Sequence, residues 1–297
     1  IVLLFVINAI FRGAGDAAIS FRVLVIANLL NIILDPCLIF GLGPFPEMGL
    51  AGAATATTIG RSVAIIMQIY WLLKATGRIT VYKRHIYLNF SVIKTLIQKS
   101  FWGIGQLLIA TTSWIGLMRI MAVFGSEVLA GYTIAIRLFH VSLLPAWGMG
   151  NAAATFVGQN LGAKKPERAE KSIWLTAKVS SMILLIVVVL FLTIPEILIR
   201  FFSVESQVVR AGADSLRIFS YGFIFYAYGS SFLQAFNGAG DTVTPTKIYV
   251  LCFWMFEIPL AYMLALYLDF GYPGVLWAIV VAESVMAVIA YWFFKQG

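Results

Sequence analysis

Charge is scarce in this chain. Asp, Glu, Lys and Arg make up 11% of its 297 residues, against about 25% in soluble globular domains. Hydrophobic residues reach 61%, which excludes a soluble domain and predicts an all-α polytopic membrane protein. Cysteine is nearly missing. Cys37 and Cys252 lie far apart in apolar runs, so neither a disulfide nor a thiolate metal site is expected. The two histidines, His85 and His140, have no metal-ligand company either. No nucleophile, paired catalytic acid or cofactor motif stands out, so no enzyme and no cofactor are expected. The opening Ile-Val-Leu-Leu-Phe runs straight toward Phe11-Arg12-Gly13 without the charged start of a signal peptide. It reads as the last turns of a helix, and the chain as the back portion of a longer protein.

What is present is a polar stripe inside an apolar run. In Asn28-Leu-Leu-Asn31-Ile-Ile-Leu-Asp35-Pro36 the polar residues recur at three and four, which places them on one helix face. The surrounding run, 21–40, is long enough to span a bilayer. A carboxylate at that depth costs several kcal/mol unless it faces a cavity or a partner. Pro36 has no N–H and its ring clashes with the carbonyl of Ile32, which frees an acceptor beside the acid. An acid, amides and a loosened backbone suit a proton or a small cation.

Cutting the chain at polar and Gly/Pro clusters leaves a helix remnant, 1–10, and about eight transmembrane helices. They centre on 20–40, 50–73, 101–124, 129–156, 173–200, 215–236, 246–268 and 273–294. Basic residues fall in alternate connections: Arg12; Lys74, Arg78, Lys83, Arg84, Lys94 and Lys99; Lys164, Lys165, Arg168 and Lys171; Lys247; Lys295. The other connections hold Glu47, Glu127, Glu205, Asp214 and Asp269 but only Arg210 among bases, with Arg200 at the edge. The positive-inside rule makes the first set, and the C-terminus, cytoplasmic. It also accounts for the net charge of +8 without nucleic acid as a partner. The connection 74–100 is read as a basic, amphipathic linker, with 89–99 as a helix on the inner membrane surface. It would divide an amino-terminal piece, 1–73, from a carboxy-terminal lobe, 101–297.

Phe11-Arg-Gly-Ala-Gly-Asp16 and Phe236-Asn-Gly-Ala-Gly-Asp241 are near-copies. No strand precedes either and no Lys-Ser/Thr follows, so they read as inter-helix turns and not as phosphate loops. Both are on the cytoplasmic side, so the repeat is parallel, about an axis along the membrane normal, with two six-helix lobes in a twelve-helix protein. Glu257, before Pro259, repeats the chemistry of Asp35, and Glu283 lies in the last span; either could serve transport. Glu257 could instead pair with Lys247. Arg119 and Arg137, also inside spans, are expected to pair with these acids. Trp114, Tyr226 and Tyr228 are candidates for the wall of a substrate cavity.

Taken in order, Arg12-Gly-Ala-Gly-Asp16, Asn31-x-x-Leu-Asp35-Pro36, Gly52-Ala-Ala-Thr-Ala-Thr57, Gly158-Gln-Asn-Leu-Gly-Ala-Lys-Lys165 and Gly238-Ala-Gly-Asp-Thr242 resemble the MATE (multidrug and toxic compound extrusion) family. The resemblance runs from the end of the family's fourth helix to its twelfth. It implies cation-coupled export, by H⁺ or Na⁺ antiport, of amphipathic and often cationic compounds. It further implies alternating access of two lobes in a monomer of the plasma (inner) membrane, in contact with membrane lipids. By the same resemblance Asp35, Asn31, Thr57 and Asn8 belong to the cation site, which a first-helix aspartate upstream of residue 1 would complete; Asn28, on the same face by spacing, is a secondary candidate. Ala110 and Tyr226 stand where other branches carry acids, which favours coupling through the first lobe. The alternative is a flippase of a lipid-linked metabolite with a related two-lobe fold. Such a protein would line its cavity with bases for a pyrophosphate, and Arg119 and Arg137 are its only strong candidates.

Overall fold

A computed structural model describes residues 2–74, 78–79, 81–82 and 87–296. Lys83, Arg84 and His85 of the basic connection lie outside the described residues. All regular structure among the described residues is helical, and the chain divides into two compact units, Ile1–Asn89 and Phe90–Gly297.

The first unit contains α1 (Val2–Gly13), α2 (Ala17–Phe40) and α3 (Leu50–Leu73). A four-residue spacing of small side chains organises it. Gly52, Ala56, Gly60 and Ala64 are buried along one face of α3, and such stripes let membrane helices approach backbone to backbone. The approach to α2 is close enough to exclude any side chain at Gly52, where an added Cβ would lie 2.3 Å from the Leu38 carbonyl oxygen. Leu4, Val23, Ala27 and Ala64 close the small core. The helix α2 runs through Pro36 without interruption. Gly41, at φ 68°, then ends it in the left-handed conformation, which glycine adopts without steric cost.

The second unit contains α4 (Phe90–Met121), α5 (Ser126–Gly162), α6 (Pro166–Thr193), α7 (Pro195–Arg200), α8 (Ser206–Gly238), α9 (Val243–Tyr249), α10 (Ile258–Tyr262) and α11 (Tyr272–Gln296). Between α9 and α11 the chain is π-helical over Val250–Glu257 and Met263–Tyr267. Three boundaries differ from the sequence reading. The stretch expected as a surface helix, 89–99, is continuous with the span: α4 is one helix of 32 residues, about 48 Å long. That exceeds a hydrocarbon core of about 30 Å, so its first turns carry Lys94 and Lys99 beyond the lipid. The span expected over 173–200 breaks at Ile194, because Pro195 lacks the N–H that would continue α6. And α8 begins at Ser206, well before 215.

Seven helices among the described residues are long and apolar enough to cross a membrane: α2, α3, α4, α5, α6, the α9–α10 segment and α11. The eighth expected span is α8, which has the length, 33 residues, but not the composition. It packs against α5, α6, α7 and α11 and buries seventeen residues, among them Ser215, Ser220 and Ser231. A helix enclosed by other helices is not selected for apolarity on every face. Near its start Arg217 pairs with Glu196 of α7 and with Asp214 at 3.5 Å, while the Tyr272 hydroxyl donates to Asp214 at 2.7 Å.

The repeated Gly-Ala-Gly-Asp turns share one hydrogen-bond pattern. Asp16 N–H donates to the Phe11 carbonyl at 2.8 Å and Asp241 N–H to the Phe236 carbonyl at 2.9 Å, with Gly15 and Gly240 at φ 82° and 83°. A third copy, hidden in sequence, joins α5 to α6. There Lys165 N–H donates to the Asn160 carbonyl at 2.8 Å, and the left-handed position is Lys164, at φ 57°. A left-handed non-glycine costs about 1–2 kcal/mol, and glycine adds roughly 0.5–1 kcal/mol of chain entropy to be lost. Lys164→Gly is therefore expected to stabilise by about 0.5–1 kcal/mol, read as a higher Tm in detergent; a lower Tm would mean that the lysine makes a compensating contact. At the last of these turns Asp241 caps α9, accepting the N–H groups of Val243 and Thr244 at 3.0 and 3.1 Å. Burial alone would raise this carboxyl, but the bonds from Thr244 and Val243, with the charge of Lys99, hold it below the usual carboxylate range.

Candidate functional site

Within the first unit the stripe on α2 meets α3. Asn31 Nδ2 donates to Asp35 Oδ1 at 3.1 Å, one helical turn away, and lies 3.4 Å from Thr57 Oγ1 on α3. All three side chains are half-buried. The contact across the helices exists because Gly60 sits against Ala27 and Asn31: an added Cβ there would lie 3.0 Å from the Ala27 carbonyl oxygen and 3.8 Å from Asn31 Cβ. Among the described residues no Lys or Arg lies within ion-pair distance of Asp35. The cluster presents a carboxylate, an amide oxygen and a hydroxyl, hard oxygen donors that fit a proton or a small hard cation.

Asn28 shares the helix face but is exposed, and among the described residues its side chain has no partner. Asn8 is not hydrogen-bonded to the cluster. It is buried on α1, where its Oδ1 accepts from Gln68 Nε2 at 2.8 Å and its carbonyl from Ser20 Oγ at 3.2 Å. Asn8 Nδ2 and Gln68 Oε1 are enclosed without hydrogen-bond partners among the described residues. Gln68 and Ser20 escaped the sequence reading. For Gln68 a signal existed: it is the next position after Gly52, Ala56, Gly60 and Ala64 on the buried face of α3.

In the second unit Glu257, at 2% exposure, is the most deeply buried acid. Its partner is Ser113 Oγ on α4, at 2.7 Å, and not Lys247, which is exposed. Arg119 and Arg137, expected to pair with the membrane acids, are exposed as well and make no ion pair among the described residues. Both side chains lie on the surface of the unit, away from the enclosed carboxylate that each was expected to meet. Glu283, on α11, lines a small cavity with Tyr226. The aromatic candidates separate. Trp114 stacks on His140, with ring centroids 4.2 Å apart, and Tyr226 OH accepts a hydrogen bond from Trp147 Nε1. Tyr228 turns elsewhere, against Trp174 at 6.2 Å and Phe232 at 6.5 Å. Ala110 is partly buried against the same hydrophobic cluster as Tyr228, Trp174 and Phe232.

Comparison with known proteins bears on both units. The MatE family model matches residues 103–263. The chain is 29% identical over 296 residues to a probable multidrug resistance protein NorM of Thermotoga maritima, covering 98% of this chain and 63% of that protein. It is 25% identical over 299 residues to an FAD transporter of Shewanella oneidensis, covering 100% and 65%. A multidrug export protein MepA of Staphylococcus aureus is 23% identical over 292 residues, covering 98% and 62%. A crystal structure of MATE in complex with MaL6 shares the fold, with a TM-score of 0.90 at 24% identity, over 99% of this chain and 66% of that one. The chain thus spans just under two thirds of the length of these relatives.

Proposed function

The chain belongs to the MatE family, whose members are transporters and not enzymes, and from that membership we propose that it forms part of a cation-coupled antiporter. The reading assigns coupling, by H⁺ or Na⁺, to Asp35 with Asn31 and Thr57. The observation that carries it is a membrane carboxylate hydrogen-bonded to an amide that also approaches a hydroxyl of the next helix, with no basic partner among the described residues. Such a carboxylate changes its charge when it takes up an ion, and both helices feel the change. The exported compounds are small, amphipathic and often cationic, in keeping with the multidrug names of several relatives. Polyspecific pockets are built from ordinary apolar and aromatic side chains, so no narrower class is assigned. The flippase alternative calls for bases facing a cavity, whereas the cavity beside Tyr226 is lined by an acid, Glu283, and by no base. The test is efflux from inside-out vesicles under an imposed pH or Na⁺ gradient, using the protein as its gene encodes it. Efflux indifferent to both gradients would overturn the coupling.

Orientation belongs to the same proposal. The basic connections, including Lys164, Lys165, Arg168 and Lys171, support reading one set of loops and the C-terminus as cytoplasmic, and the membrane as the plasma (inner) membrane. In a background lacking Cys37 and Cys252, Ser126→Cys and Ser206→Cys are expected to react with an impermeant thiol reagent from outside. Ala163→Cys should react only after the cells are opened. Labelling of Ala163→Cys in intact cells would reverse the topology.

A further inference from the structure

Two acids lie inside the second unit with nothing basic beside them. Glu257 ends the π-helical stretch Val250–Glu257, and π turns recur at functional sites. A carboxylate offers about four lone-pair sites, yet Ser113 Oγ is the single hydrogen-bond partner of this one, which is 2% exposed. Glu283 is barer. Its Oε2 is enclosed and has no hydrogen-bond partner among the described residues, and it lines a cavity of about 10 Å³ with Tyr226, Phe139 and Phe219. That is room for about one water molecule.

The groups around the pair can be named helix by helix. Ser113 comes from α4, and Tyr132 on α5 stands near Glu257. Tyr226 on α8, Tyr249 on α9 and Cys252 in the π-helical stretch stand near Glu283, as does Glu257. None of these is a base. The bases on the same helices are engaged elsewhere or exposed: Arg217 with Glu196 and Asp214, Lys99 on the Gly240 carbonyl, Lys295 over the Tyr291 ring, and Lys94, Arg119, Arg137, Arg210 and Lys247 exposed.

A buried ion without a counter-charge costs several kcal/mol, and two like charges close together add repulsion. Protonation removes both costs at once. We propose that Glu257 and Glu283 form a proton-binding pair in the second unit, each holding a proton at neutral pH and Glu283 exchanging its own through water beside Tyr226. Tyr226 suits that role because its oxygen accepts the N–H of Trp147, which leaves its own proton free to donate into the cavity. The pair stands whether or not Asp35 couples transport, since it concerns proton occupancy and not export.

The experiment is infrared spectroscopy of the protein in lipid vesicles, following the carbonyl band of protonated carboxylic acids. In the wild type this band should be present at neutral pH and disappear as the pH is raised toward about 10. Glu257→Gln and Glu283→Gln should each remove a share of it, while Glu47→Gln, in the loop after α2, should leave it intact. Tyr226→Phe should slow its deuterium exchange severalfold. A wild type without a pH-sensitive band overturns the proposal even if every variant fails to fold. So does a band untouched by both Glu→Gln changes. Loss of the band on adding Na⁺ at constant pH would replace the proton by a cation and sink it as well. Unchanged exchange in Tyr226→Phe would remove Tyr226 from the path.

Discussion

Gradient-driven efflux is expected to fall to the level of protein-free vesicles in Asp35→Asn, while insertion and Tm hold. Asparagine preserves the size of the side chain and an oxygen to accept the Asn31 amide at its 3.1 Å contact. What it removes is the ability to exist in two charge states. An ion shifts a conformational equilibrium only by its differential affinity for the two states, and a site fixed in one state offers none. Pro36 gives the change somewhere to act, since the carbonyl of Ile32 has lost its usual donor and α2 can bend there as the charge changes. Glu257→Gln should retain more efflux than Asp35→Asn at matched expression. Wild-type efflux from Asp35→Asn would end the proposal. The opposite ranking of the two variants would transfer coupling to the second unit.

The largest structural effect is expected at Gly52. In Gly52→Val the new Cβ would stand 2.3 Å from the Leu38 carbonyl oxygen. That neighbour is backbone, so α2 and α3 must separate. Overpacking of this kind costs about 3 kcal/mol and occasionally more. The loss should appear as a marked fall in Tm, accompanied by loss of efflux, because the approach of Asn31 to Thr57 spans the same two helices. Gly103→Ala is the contrast. It is helical with nothing within 4 Å of an added Cβ, so it should gain roughly 0.5–1 kcal/mol. A Tm for Gly52→Val as high as the wild type would mean that α2 and α3 do not pack as described.

Much of this was legible in the sequence, where a local rule governs. Asn28, Asn31 and Asp35 share a face by helical spacing alone, and the two Gly-Ala-Gly-Asp turns are visible as words. The third turn is not, because Lys164 occupies the position that glycine marks in the other two. Thr57 came from family resemblance; no spacing rule joins residues 26 apart in sequence. The Asn8–Gln68 bond spans sixty residues and depends on how closely α3 approaches α1, which the small-residue stripe implies but does not aim. Arg119 and Arg137 show the converse failure. Charge balance suggested partners, while both side chains lie on the surface of the unit and Glu257 is enclosed within it. The break at Pro195 was there to be read, yet hydropathy ran across it, since an apolar average does not register one missing N–H.

The polar character of α8 has a consequence for biosynthesis. A helix is handed from the translocon to lipid according to its own apolarity, and α8 carries Arg210, Asp214 and Arg217 near its start and buried serines along its length. Its neighbours α5 and α6 precede it, but α11 is synthesised after it. For an interval the nascent chain therefore holds a segment whose lasting companions are only partly made. Its retention in the bilayer belongs to the bundle and not to the segment. Quality control of this protein would thus act on how promptly α11 arrives.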